Sequence, residues 1–380
     1  MIMQRELTHP NALYIHIPFC IKRCSYCDFN SSVYQPDVAS RYVAALEKEL
    51  GGVKDHPYKT VYIGGGTPTA MKEGQLNQLL SAVSSSLDMR RIKEYTVEVN
   101  PGTVNARKAA LLRWGGVNRI SLGIQSFKEK GLRLLGRIHS RRDALDAFSV
   151  LREGGFNNLS VDLIFGWSGQ TLMDWEEDLT EVLSLDPEHL SAYCLTVERG
   201  TPLARQIRTG SVPRPDEESQ LDMLKKTINF LDNNGYKHYE ISNFAKKGYR
   251  CRHNVNYWKN LPYVGIGAGA VSYLNGRRTS NIRDILSYIE RIEAGRSAKT
   301  FGERLTPRRR AAETLMMALR MTSGIKEKNF TVRTGFTLRE LYGDVIDRLC
   351  VLGLMGIRQG RLYLTRKGVF VADSVMMEFL

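Results

Sequence analysis

From the N-terminus to Tyr236, short runs rich in Val, Ile, Leu and Tyr alternate with longer stretches whose apolar positions recur every three or four residues. The short runs predict strands, and the longer ones predict amphipathic helices. Six strands are expected: "LYIHI" (Leu13–Ile17), "TVYI" (Thr60–Ile63), "YTVEV" (Tyr95–Val99), "RISLGI" (Arg119–Ile124), "LSVDLIF" (Leu159–Phe165) and "HLSAYCL" (His189–Leu195). Helical patterns follow each of them, among them "VASRYVAALEKEL", "RRDALDAFSVLREGG" with its glycine stop, and a long helix over 219–234. Six βα units in sequence imply parallel strands joined by right-handed crossovers. Six are too few to close an eight-stranded barrel. They fit an open partial barrel or a doubly wound sheet, and in either one ligands gather at the C-terminal ends of the strands.

Beyond Tyr236 the periodicity breaks. The stretch 236–275 is rich in aromatics and glycine and has no clean period, and "GIGAGA" within it lacks the βαβ surroundings of a dinucleotide fingerprint. The tail resumes with helix over 311–320 and 338–352, then a "LMGIRQGRLYLT" hairpin turning at Gln359-Gly360. Two helices and a two-stranded wing are a winged-helix-like order. The chain therefore divides into a larger unit over 1–300, which contains the 236–275 segment, and a smaller one over 301–380.

The 380 residues suit a barrel plus a small partner. The N-terminus has no apolar leader run and no window is apolar enough to span a membrane, so the expected location is cytoplasmic, where thiols stay reduced. Lys and Arg exceed Asp and Glu by 54 − 40 = 14, which could serve an anionic membrane surface or nucleic acid. No aromatic-rich RNA-binding signature accompanies the charge, so nucleic acid is not an expected partner.

Clustered cysteines in a reduced compartment point to metal or catalysis. Cys20, Cys24 and Cys27 form CxxxCxxC directly after the first strand, and Phe29 stands where a fourth cysteine would fall. Iron–sulfur cubanes are usually held by four thiolates, so three leave one iron open to a substrate. A structural zinc site would need a fourth ligand, and "SYCDFNSSVY" offers no further Cys or His. A CxxC redox pair would leave Cys20 unexplained. Cys194, Cys251 and Cys350 are scattered singly and are expected to be buried small hydrophobes. Polar groups recur at predicted strand ends: Gly64 to Thr67 after the second, Glu98 and Asn100 at the third, Gln125 after the fourth.

CxxxCxxC after the first strand, followed by "IGGGTPT" after the second, resembles the radical S-adenosylmethionine (SAM) superfamily. "EVNPGT", "GVNRISLGIQSF", "LGRIH", "VDLIFG", "YEISNFA" and "HNVNYW" resemble its coproporphyrinogen-oxidase-like branch. The resemblance implies a partial (β/α)6 radical SAM barrel with a small C-terminal winged-helix-like domain. It also implies a 4Fe–4S cluster on Cys20, Cys24 and Cys27 whose open iron binds SAM. Tyr14, Gly65, Gly66, Thr67 and Glu98 would bind that SAM. Gln125, Arg137 and Asp162 match positions that contact a second SAM in the oxidases. Phe29 and the short stretch before Cys20 depart from the oxidases. "CDFN" and "HNVNYW" are instead similar to the HemW-type haem chaperones of the branch, which implies haem, and haem-accepting proteins at a membrane or away from it, as partners. His253 would then be a candidate haem ligand beside Tyr257 and Trp258. Val271 stands where the branch commonly has histidine. The alternative function is oxidative decarboxylation of coproporphyrinogen III.

Overall fold

The computed structural model describes residues 9–380. The first eight residues, part of the stretch read above as lacking a leader run, lie outside the described residues. Strand β1 (Ala12–Ile17) leads into a two-stranded parallel pair, β2 (Phe19–Cys20) and β3 (Ser32–Val33), which brackets the cysteine loop. The expected strands follow as β4 (Thr60–Gly65), β5 (Glu94–Val99), β6 (Arg119–Gln125), β7 (Leu159–Phe165) and β8 (His189–Cys194). Together with β1 they pair in parallel in sequence order. Helices cover the sheet with their apolar stripes. Trp175 of helix Leu172–Ser184 is fully buried there, its indole N–H donating to Thr227 Oγ1 at 2.8 Å.

The aperiodic segment is structured. It gives β9 (Lys237–Glu240) and β10 (Asn243–Ala245), a short helix Arg252–Trp258, then β11 (Tyr263–Ile266) and β12 (Val271–Leu274). β11 pairs in parallel with β1, so the parallel array has seven strands, one more than the periodicity predicts. Glycine-rich "YVGIG" carries too little side chain to announce a strand, and its partner lies at the far end of the chain. "GIGAGA" is a strand end and a turn with no following helix, which removes the dinucleotide reading on geometry. β13 (Arg277–Asn281) and β14 (Lys299–Arg304) extend the β12 edge antiparallel, while β10 and β9 extend the β8 edge.

A second hydrophobic core, around Leu315, Phe330, Leu349 and Phe379, lies in the tail. Helices Pro307–Leu319, Glu327–Thr334 and Leu338–Val351 pack on a three-stranded sheet of β15 (Ile325–Lys326), β16 (Met355–Arg358) and β17 (Arg361–Leu364). Gln359 and Gly360 both adopt positive φ at the wing turn, as a two-residue hairpin requires. Among the described residues no helix is long and apolar enough to cross a membrane. Of the three scattered cysteines only Cys251 is buried; Cys350 is partly exposed, and Cys194 is exposed as the last residue of β8.

Candidate cluster and cofactor site

The cysteine loop starts at the C-terminal end of β1 and lies against the glycine loop that ends β4. Gly66 N–H donates to the Ile17 carbonyl and Thr67 N–H to the Phe19 carbonyl, both at 2.7 Å. A Cβ on Gly66 would sit 2.7 Å from both of those oxygens. Gly65 has φ +106°, and a Cβ there would strike the His16 ring at 2.3 Å and the Tyr14 hydroxyl at 2.9 Å. Glycine is therefore required for the two loops to touch.

Burial pushes the Cys20 thiol up to about 11, with Cys24 and Cys27 close enough to add to the rise. Burial also raises Cys27, with Cys24 contributing. Three thiols converging in a half-buried loop suit a positively charged inorganic centre, which would hold them as thiolates. Among the described residues no three His, Cys, Asp or Glu side chains stand close enough to share a single metal ion. A cubane instead offers each thiolate its own iron, so the donor set fits a cluster.

One hydrogen-bonded chain ties this loop to three strand ends. Thr67 Oγ1 donates to Cys20 Sγ at 3.7 Å, and Asn100 Nδ2 donates to Thr67 Oγ1 at 2.5 Å. Arg137 Nη2 donates to Asn100 Oδ1 and to the Gly123 carbonyl, each at 2.6 Å, and Arg137 Nη1 reaches Cys24 Sγ at 3.4 Å. Arg137 thus spans the cluster loop, β5 and β6. Gln125 has φ +72° at a register shift in the β6–β7 pairing, a strained bulge at the strand end facing this chain.

Glu98 accepts from Tyr62 OH at 2.8 Å and from Gly65 N–H at 2.9 Å. Burial pushes its carboxyl up to about 7, although those two donors pull the other way. Asp162 lies deeper, accepting from Ser121 Oγ at 2.9 Å, and burial raises its carboxyl also. Tyr14 OH bonds His16 Nδ1 at 2.9 Å, and His16 Nε2 bonds the Asn30 carbonyl at 2.7 Å. Asn30 Nδ2 donates to the carbonyls of Ala268 and Arg283, which fastens the cysteine loop to the β11–β13 region. Asn100 was read as a strand-end polar group without a role, and His16 and Asn30 were not singled out. Their signal was available in "EVNPGT", "YIHIPFC" and "CDFN".

His253 sits at the opposite end of the barrel, under the N-terminal ends of β4 and β5. It is 1% exposed, with Nδ1 bonded to Thr60 Oγ1 and Nε2 to Tyr257 OH, each at 2.9 Å. Its backbone N–H donates to Glu94 Oε1 at 2.9 Å, and Cys251 Sγ lies 3.5 Å from the same oxygen. Burial drives its pKa down to about 3. Both ring nitrogens are engaged, so this geometry presents neither to an external ligand.

A cavity of about 640 Å³ opens beside the site. Tyr14, Gly65 and Glu98 line one end; Phe29, Trp258, Tyr263, Val271, Met316 and Met317 line the remainder, with Arg278 and Arg283 at its polar side. The expected SAM residues Tyr14, Gly65, Gly66, Thr67 and Glu98 are gathered around the cluster loop. Arg137 joins them, Gln125 stands next to them, and Asp162 lies below.

The radical SAM superfamily pattern matches residues 14–182, and that of the HemN C-terminal domain matches 305–371. The haem chaperone HemW of Bacillus subtilis is 38% identical over 97% of this chain and 98% of its own length. HemW of Escherichia coli is 38% identical over 72% of this chain and 74% of its own length. The zebrafish (Danio rerio) protein "Radical S-adenosyl methionine domain-containing protein 1, mitochondrial" is 33% identical over 97% of this chain and 86% of its own length. In structure, coproporphyrinogen III oxidase HemN of E. coli superposes with a TM-score of 0.84 at 24% identity, covering 99% of this chain and 91% of that one. That likeness concerns the fold.

Proposed function

This chain belongs to the HemW family within the radical SAM superfamily, and we propose that it binds haem and passes it to acceptor haem proteins. The observation that carries this reading is the cavity of about 640 Å³ against the cofactor residues. Its aromatic and methionine walls suit the flat apolar faces of a porphyrin. Arg283 at the rim has no carboxylate partner among the described residues and is placed for a propionate. Burying the macrocycle faces would contribute about 25 cal/mol per Å² of apolar area. In this reading Tyr257 and Trp258 of "HNVNYW" form part of the haem wall. His253 holds Tyr257 in place through the hydrogen bond between them.

Cys20, Cys24 and Cys27 would hold a 4Fe–4S cluster, with Gly65, Gly66, Thr67, Glu98 and Tyr14 around SAM on the open iron. When bound, that pair supplies one-electron chemistry at the sulfonium. The residues' own part is positional. The amides of Gly65, Gly66 and Thr67 are already used, so what the loop can offer an ammonium group is carbonyl oxygen. Glu98 provides a carboxylate that ionises near neutrality. Arg137 places a cation against a cluster thiolate. We place the protein in the cytoplasm, with acceptors that include membrane-associated haem proteins.

The test is anaerobic reconstitution of the cluster followed by haem titration, transfer to an apo-haem protein, and a parallel assay with coproporphyrinogen III and SAM. One haem per chain and transfer without protoporphyrinogen IX formation is the expected result. Trp258→Ala should weaken haem retention about tenfold with cluster iron unchanged. Multiple-turnover formation of protoporphyrinogen IX would establish the oxidase instead.

A further inference from the structure

A second cavity, also about 640 Å³, lies at the other end of the barrel, between the N-terminal ends of the parallel strands and the C-terminal domain. Lys59 and Lys93 precede β4 and β5 on its floor. Helix Arg252–Trp258 forms one wall, and Ser323–Lys326 with Arg361 closes it from the tail. Of the residues that line it, eight are Lys or Arg and none is Asp or Glu. A basic run is ordinarily a solvated face laced with acidic partners, as where Arg278 pairs with both Glu303 and Glu313. Here Lys93, Arg250, Arg252, Lys259, Lys326 and Arg361 have no carboxylate partner among the described residues.

Several of these cations are held in place. Arg361 Nη1 donates to the Ser323 and Gly324 carbonyls at 3.1 and 3.2 Å, and Arg333 Nη1 donates to the Lys259 carbonyl at 2.6 Å. The Arg250 guanidinium rests 5.6 Å above the Tyr239 ring. Trp258, Val255, Leu261 and Met321 supply an apolar side, and the Trp258 indole N–H is buried with no acceptor. Most of these cations are exposed at the mouth of the cleft; like charges gathered there create a positive field, which a multiply charged anion relieves. Two carboxylates bring too little charge for the six cations without a carboxylate partner, whereas a di- or triphosphate brings three or four. Guanidinium forks match phosphate oxygens. The site is a cleft of small-molecule size, which disfavours a membrane face or a duplex.

We propose that this interdomain cleft binds a nucleoside polyphosphate, its phosphates among Lys93, Arg252, Lys326 and Arg361 and its flat ring against Trp258. Occupancy would clamp the barrel floor to the C-terminal domain. The site shares Trp258 with the proposed haem cavity but none of that cavity's other lining residues, and its cations lie outside both that cavity and the cluster loop, so its failure would leave the chaperone reading intact.

The test uses the full, cluster-loaded chain at 150 mM salt, titrated calorimetrically with ATP, ADP and inorganic triphosphate. ATP should bind at least fivefold tighter than triphosphate. The double variant Arg252→Ser, Lys326→Ser should bind ATP at least tenfold more weakly, with iron content, circular dichroism and haem titration as in the parent; Lys93→Ser provides a second, single-site check. Absence of binding by all three probes, equal ATP affinity in parent and variants, or binding confined to single-stranded RNA or to phosphatidylglycerol vesicles would overturn the proposal.

Discussion

Asn100 donates its side-chain amide to Thr67 Oγ1 at 2.5 Å while its carbonyl oxygen receives Arg137. One side chain thereby joins the glycine loop to the guanidinium that touches the Cys24 thiol. Asn100→Ala removes both bonds and leaves Arg137 with one fewer acceptor. At about 1 kcal/mol for each net bond the pair is worth about 2 kcal/mol, so SAM affinity should fall by up to about thirtyfold, and the cluster should be lost faster under chelator. SAM titration and iron release measure the two effects, and parent-like values in both would refute the linking role.

Arg137 places a positive charge 3.4 Å from Cys24 Sγ. A nearby cation favours the reduced, more negative cluster. Arg137→Met should therefore lower the cluster midpoint potential by tens of millivolts in an EPR-monitored titration. Arg137→Lys should keep the potential near the parent's yet still weaken SAM, because the bonds to Asn100 and Gly123 need the guanidinium fork.

Glu98 has its carboxyl raised by burial to about 7. If the ionised form holds the SAM ammonium, affinity should rise as pH increases through about 7. Glu98→Gln should bind more weakly and show a flat profile between pH 6 and 8. A parent without pH dependence in that window would argue against the contact.

His253 is neutral in the folded chain, since burial lowers its pKa to about 3. The unfolded chain takes up a proton near pH 6.5 that the folded chain refuses. The stability concerned is fully present above about 6.5 and drains away as pH falls toward about 3. At about 1.4 kcal/mol per unit, roughly 2 kcal/mol should be lost by pH 5 from this residue. Urea unfolding of His253→Gln should show a shallower loss between pH 6.5 and 5. His253→Ala should cost roughly 2–4 kcal/mol at pH 7, by leaving a cavity and two hydroxyls unpartnered. The Soret maximum of haem-loaded His253→Gln should match the parent's; a displaced maximum would return His253 to the ligand role.

The parts of this architecture that were legible in the sequence are local. A cysteine loop of eight residues, a glycine loop and strand-end polar groups announce themselves within a few positions, and the six βα units bring them to one rim. The setting of His253 was not legible. Its partners Thr60 and Glu94 lie 193 and 159 residues away, so "HNVNYW" alone reads as an aromatic ligand box. β11 was missed for the same reason, since its strand character comes from β1 and not from its own glycines. The scattered cysteines were read by residue type, and type could not foresee that Cys194 is exposed at the very end of β8.

The pairing of β11 with β1 has a practical consequence for how much of the chain can stand alone. The superfamily match ends at residue 182, before the strands that flank the parallel array on both sides. A fragment cut there would leave the Ala12–Ile15 amides and carbonyls without the neighbour that Tyr263–Ile266 provides. Long bare strand margins recruit other chains, so such a fragment should self-associate more strongly than the intact chain. The smallest well-behaved unit should therefore extend past β11, into the hairpins that follow it.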